Sequence, residues 1–236
     1  SLRMYVNGDF DSTASLEPPA NVSNNGDLHI GKDSAYGQYF DGAIDEVSIW
    51  NRALSSEEIS SIYDSYNLTE AESDDPVAHW SFDEGEGNIA YDSSGNANNG
   101  TLENGPIWVD GIDGNAVHLD GDDDCISLPE MVDGTFSEFT VNGWIKATSV
   151  PEEAGVVIFG IVSDGEFMVR LTAPKEDRVN PIWIEVKTED GFDDITGVPR
   201  LEFDDKSFSG ISDIKETFDQ VKSKDDSTGQ MFRVYN

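Results

Sequence analysis

Five consecutive residues, Asp92-Ser93-Ser94-Gly95-Asn96, place a carboxylate, two hydroxyls and an amide within one short turn. Calcium takes about six to eight oxygen ligands from such groups and from backbone carbonyls, so this stretch could hold Ca²⁺. The same residue types also close Asx-turns with their own hydrogen bonds, and the sequence leaves both readings open. A second acidic run, Asp120-Gly121-Asp122-Asp123-Asp124, fails as an EF-hand. Cys125 stands where that loop needs glycine, and Met131 where it needs its bidentate glutamate. Nucleophilic chemistry has less support. No Gly-x-Ser-x-Gly elbow occurs, and His29, His79 and His118 stand isolated on strand-like segments, where each reads as a half-buried strand histidine. No His/Cys cluster has zinc spacing, and no glycine-rich loop has phosphate-binding spacing. The chain has 5 tryptophans, and exposed aromatics are stacking platforms for sugar rings. Trp144 and Trp183, flanked by polar neighbours on alternating strands, are the expected surface aromatics and ligand-binding candidates.

The elements that must position these groups are legible locally. Residues 43–50 are rich in β-branched and aromatic residues after the turn pair Asp41-Gly42, and read as a strand. Ser55 with Glu58 makes a capping box, and Ile59, Ile62, Tyr63 and Tyr66 then form one apolar helical stripe, giving a helix over 56–66. Residues 2–6 alternate as a half-buried strand, followed by the hairpin signal Asn7-Gly8. Residues 9–26 are rich in Ser, Asn and Pro and read as a loop, and 27–31 as a short strand. Strands are further expected over 77–82, 100–104, 139–147, 156–162, 166–173 and 182–188, with others at VHLDG and CISLP.

The segment FDGAIDEVSIWNRALSSEEISSIY resembles the closing strand and helix of a laminin-G-like jelly roll, in the concanavalin A-like lectin/glucanase superfamily. VAHWSFDEGEGNIAYDSSGNANNGTLENGPIWVDGIDGNAVHLDGDDDCISLP resembles the opening strands of the same family, so a family ending precedes a family beginning. The resemblance implies an all-β, two-sheet antiparallel jelly-roll sandwich with one short edge helix. Residues 1–66 would be its C-terminal half, 67–76 an acidic linker, and 77–190 its N-terminal part. Residues 191–236 remain an unassigned tail, with strand candidates at 201–203 and 231–235 around a helix candidate at 211–221. Two arrangements are open: a slice through a tandem array, or one composite domain in permuted order. The composite covers both apolar faces and requires the strand at 77–82 to lie beside the one at 43–50.

The resemblance also bears on sites. Trp50 and Trp80 would lie in the family's core, and Trp108 in its PxWVDG turn. Structural calcium would nominate Asp92 and Asn96 on the loop, Asp45 on the closing strand, and Glu84. Glucanases of the superfamily carry two glutamates bracketing an aspartate on one strand. Here Ala43 holds the first position, and Val47 and Ser48 the last ones, so the acid pair needed for glycoside hydrolysis is missing and no catalytic residue is assigned.

Composition narrows the partners. A formal charge of −34, from 48 acidic against 14 basic residues, repels phosphate backbones and anionic lipid and argues against nucleic acid or membrane surfaces. It suits solubility in a secreted protein or a high-salt habitat. No apolar run approaches the roughly 20 residues of a membrane helix. Cys125 is the single cysteine, so no intrachain disulfide forms, and the residue is expected as a small buried apolar group. Ser1-Leu2-Arg3 already reads as mid-strand sequence, so the chain is expected to be an excerpt of a longer protein. The expected function is a non-catalytic module of an extracellular or cell-surface protein, recognising carbohydrate or protein. The alternatives are a purely structural repeat of a surface or adhesive protein, and an accessory segment of a secreted polysaccharide-degrading enzyme.

Overall fold

The computed structural model describes residues 2–14, 28–33, 37–64, 76–129, 139–149, 156–161, 167–171, 182–188, 191–194 and 230–235. Strand β1 (Leu2–Val6) turns through Asn7 and Gly8, whose φ values of 50° and 82° are those of a two-residue hairpin, into β2 (Asp9–Ala14). The start of the expected 9–26 loop is therefore a strand, because the Asn-Gly turn hands its register to the residues after it. Beyond β3 (Leu28–Ile30), β4 (Lys32–Asp33) and β5 (Gln38–Tyr39) comes the long strand β6 (Asp41–Trp50), then α1 (Ser56–Asp64).

The capping box forms as its spacing requires. Glu58 N donates to Ser55 Oγ at 3.2 Å, and Ser55 N donates to Glu58 Oε2 at 2.7 Å. Arg52 grips the same carboxylate at 2.7 Å, and that hydrogen bond holds the Glu58 carboxyl down at about 2. Buried Ile59 and Ile62 then lay the helix on Tyr5, Trp50 and Leu54 as a small second core. Each fully buried side chain of this size contributes roughly 1.5–3 kcal/mol.

The remaining strands are β7 (Ala78–Trp80), β8 (Ile89–Ala90), β9 (Gly100–Glu103), β10 (Ile107–Asp110), β11 (Asn115–Asp120) and β12 (Cys125–Leu128). They continue as β13 (Thr140–Ala147), β14 (Val156–Ile161), β15 (Phe167–Leu171), β16 (Ile182–Thr188), β17 (Gly191–Asp194) and β18 (Gln230–Tyr235). Trp108 stands on strand β10, where a turn was expected. Among the described residues all pairings are antiparallel and two sheets dominate. One runs β10-β11-β6-β13-β18-β1-β2 with β7 also on β6, the other β17-β16-β15-β14-β3-β12-β9-β8. The architecture is the expected all-β antiparallel sandwich of jelly-roll type, with one helix among the described residues.

Between the sheets lies one apolar cluster that includes Met4, Ile30, Phe40, Ile44 and Ile49 from the first 64 residues, and Trp80, Phe82, Val117, Leu119, Ile126 and Ile158 from the rest. The strand at 78–80 lies directly beside β6, with Val47 opposite Trp80 and Ser48 opposite His79. The tail strand at 230–235 is inserted between β13 and β1. The candidates at 201–203 and 211–221 lie outside the described residues.

Candidate functional site

The chemistry-bearing residues gather at a fork in β6. One edge of β6 is paired to β13 along its length, while the other changes partner. Residues 41–44 pair with β11, and residues 47–49 with β7. Asp45 and Glu46 fall in the gap between the two partners. The register against β13 shifts there, and Glu46 takes φ 50°, so the strand is bulged at the fork. A bulge re-aims side chains, and these two carboxylates are aimed in different directions.

Asp45 is only 4% exposed. Its Oδ1 accepts Glu46 N at 2.8 Å and its Oδ2 accepts Ile112 N at 2.7 Å, so it ties the 111–114 loop to the strand. Burial pushes its carboxyl up to about 8 against the pull of these backbone N–H groups. Gly111 makes the approach possible, since a Cβ there would be driven into Asp45 Oδ2. Glu46 turns instead to β7, where its Oε2 lies 2.8 Å from His79 Nε2. His79 Nδ1 lies 3.0 Å from Ser93 Oγ, which also meets the His79 carbonyl oxygen at 3.1 Å.

The order Ser93–His79–Glu46 is that of a nucleophilic relay, and His79 is not the isolated residue the sequence suggested. The surroundings differ from those of a hydrolase. Ser93 N donates to His79 O at 2.8 Å and Ser94 N donates to Asp92 Oδ1 at 2.9 Å, so the amides that could stabilise an oxyanion are committed. The three residues form a clamp joining the bulge, β7 and the turn.

Asp92 organises that turn. Its Oδ1 accepts His79 N at 3.0 Å and Ser94 N, and its Oδ2 accepts Asn98 N at 2.9 Å. Partial burial raises its carboxyl, but those hydrogen bonds together hold it below the ordinary value. A second convergence faces Val77. Its carbonyl oxygen receives Ser94 Oγ at 3.1 Å, Asn96 Nδ2 at 3.0 Å and Asn98 Nδ2 at 2.9 Å. Glu84 Oε1 accepts Tyr91 N at 2.7 Å, while its Oε2 is buried without a hydrogen-bond partner.

The four residues nominated for calcium are thus divided. Asp92 and Asn96 share the turn, whereas Asp45 serves the 111–114 loop and Glu84 the backbone at Tyr91. Among the described residues, the one group of three or more acidic, His or Cys ligands whose atoms approach within 4.8 Å is Asp120, Asp123 and Asp124. That group is the turn already read from sequence, with Asp120 Oδ1 accepting Asp122 N at 2.9 Å. Asp45 and Asp92 share no hydrogen-bond partner among those above, and each carboxylate is taken up by nearby backbone N–H groups.

The aromatic expectation is also corrected at Trp144. Trp144, expected at the surface, is only 5% exposed, and Tyr63 of α1 stacks on it at 5.6 Å. Trp183 stands opposite Arg170 in register, and its side chain lies outside the described residues. Trp50 and Trp80 are buried as expected. Sequence reasoning missed Tyr91, 59% exposed at the rim of the Asp92 turn, because it lies in a loop with no alternating pattern to assign it a face. Cys125 is buried, and burial pushes its thiol up to about 11, which fits an unreactive core residue.

Comparisons with curated proteins and with solved structures gave no match. A family model does match: residues 1–60, which carry β1 to β6 and the first turn of α1, fit that of the concanavalin A-like lectin/glucanases superfamily.

Proposed function

We propose that this chain is a non-catalytic laminin-G-like module of an extracellular or cell-surface protein that recognises carbohydrate. The observation carrying this reading is the fate of the β6 carboxylates. A retaining or inverting glycosidase needs two carboxyl groups facing an open cleft. Here Asp45 is buried on Ile112 N, and Glu46 is held by His79 with 14% of its side chain exposed. The superfamily match over residues 1–60 and the β-sandwich are compatible with lectin-type binding. Tyr91 is the stacking candidate, since it stands exposed beside hydroxyl and amide groups of the 92–98 turn that could hydrogen-bond a sugar.

A glycan array tests the proposal. Binding to one glycan class, lost in Tyr91→Ala, is the expected outcome. Silence across broad classes would leave the architectural role in a surface protein as the better reading. Binding untouched by Tyr91→Ala would move the site elsewhere.

We further propose that the turn holds a structural calcium ion between Val77 O, Ser94 Oγ, Asn96 and Asn98. Either amide, turned over, presents its oxygen to the same point, and Asp92 supplies negative charge alongside. Calcium should then raise the melting temperature and a chelator lower it, by mass action on the folded state. An unchanged melting temperature removes the ion and leaves a turn closed by its own hydrogen bonds.

A further inference from the structure

The described strands of the first 64 residues do not form a layer of their own; β6 and β3 are threaded between later strands, one in each sheet. Strand β6 is bounded on one side by β13 and on the other by β11 and β7, all from later in the chain. Strand β3 lies between β12 and β14 in the second sheet. Among the described residues, strands of this segment pair with each other only in β1–β2 and β4–β5. Residues 77 onward therefore make two slots, one in each sheet, and residues 1–64 supply the two strands that fill them.

The fit of strand to slot is self-contained. Ile44, Val47 and Ile49 of β6 and Ile30 of β3 are each no more than 3% exposed, and bury against side chains from the later strands. Left open, the slots would expose strand edges and an apolar face, the two features that invite pairing with another chain. Residues 65–75, which lie outside the described residues and carry most of the expected 67–76 linker, connect the inserted segment to its receiver. Fully extended, a connection of that length reaches about 40 Å at most.

From this threading we propose an interaction between copies: residues 1–64 of one chain fill the β6 and β3 slots of a second copy. The contacts are those already seen within one chain, so the exchanged and unexchanged forms differ in connection and not in packing. Effective concentration decides between them. A connection of so few residues favours closure within the chain at low concentration, with exchange rising toward roughly millimolar levels. The charge of −34 on each copy opposes association, so exchange should also rise with ionic strength.

The test uses two singly substituted full chains, Ala43→Cys and Lys146→Cys, because these residues face each other across β6 and β13 and Lys146 is exposed. Directly opposite antiparallel residues are within disulfide reach. The two chains are unfolded together, refolded at about 10 µM and about 500 µM, oxidised and mapped by mass spectrometry. A 43–146 cross-link between chains, at least tenfold more abundant at the higher concentration and increased by salt, is expected. A chain carrying both substitutions should form the same bond internally at every concentration. Absence of the interchain bond while the internal one forms overturns exchange. Absence of the internal bond removes the slot itself, and interchain bonds that run through Cys125 instead also count against the proposal.

Discussion

Asp45 and Asp92 perform one mechanical task in two regions of opposite character. Each accepts backbone N–H groups and ties a loop to a strand: Asp45 the 111–114 loop to β6, Asp92 the 92–98 turn to β7. Their carboxyls nevertheless move in opposite directions. Burial pushes Asp45 up to about 8, whereas Asp92, similarly penalised but less enclosed, is held below its ordinary value by its hydrogen bonds. The lesson is one of proportion. Two or three N–H donors stabilise a half-solvated carboxylate fully, but do not offset the cost of enclosing that charge between a strand and a loop.

The difference can be broken at its hinges. The largest effect is expected for Gly111→Ala, whose Cβ would be driven into Asp45 Oδ2 and lie 2.6 Å from the backbone oxygen of Asn115. The Asn115 backbone cannot withdraw without disturbing β11, and Asp45 Oδ2 moves only by giving up Ile112 N, so the variant should lose about 3 kcal/mol or more, read by chemical denaturation. Its counterpart, Gly95→Ala, meets nothing within 4 Å and carries only the strain of φ +92°, so a loss of about 1 kcal/mol is expected there. Equal losses would mean that the two loops are equally tight.

The pH dependence separates the carboxylates next. Across the window from about 4 to about 8 the folded chain keeps the Asp45 proton and the unfolded chain has released it, so stability falls as pH rises. The loss should be on the order of a few kcal/mol, and should vanish in Asp45→Asn. Asp92 has the opposite sign: its contribution is present above the unfolded carboxylate range and is lost as pH falls through its depressed folded value. Denaturation midpoints at pH 5 and pH 8 for wild type and Asp45→Asn decide the matter, and parallel changes in both would refute the assignment.

Smaller effects sharpen the same contrast. Asp45→Ala empties a buried carboxylate site and strands the part-buried N–H of Ile112, and should cost about 2–3 kcal/mol, whereas Asp92→Ala removes a less enclosed carboxylate and should cost about 1 kcal/mol. Smallest of all, Ser93→Ala removes one exposed hydroxyl from the clamp and should cost about 0.5–1 kcal/mol. Its amide-exchange signature should be confined to the 92–98 turn; faster exchange along β6 would mean that the clamp supports the fork itself.

Much of this was readable from local pattern. The capping box at Ser55 and Glu58, the Asn7-Gly8 hairpin, the buried Ile59 and Ile62 of α1 and the end of β6 at Trp50 all formed where the residues placed them, whereas β6 begins at Asp41, inside the expected turn pair. Each depends on atoms a few residues apart, and such geometry is fixed by the chain's own sterics and hydrogen bonds.

What no local pattern contained was which distant segment arrives to cover a face or accept a bond. The helix that hides Trp144, the strand at 230–235 seated beside β1, and Ile112 reaching Asp45 across 67 residues are outcomes of pairing between remote strands. The same holds for the fork in β6, where one edge passes from β11 to β7 and leaves two carboxylates to find separate partners. Residue types dictated that Asp45 and Asp92 would each seek N–H donors. The tertiary structure alone decided how much water each would keep, because desolvation belongs to the whole surrounding volume and not to the neighbours along the chain.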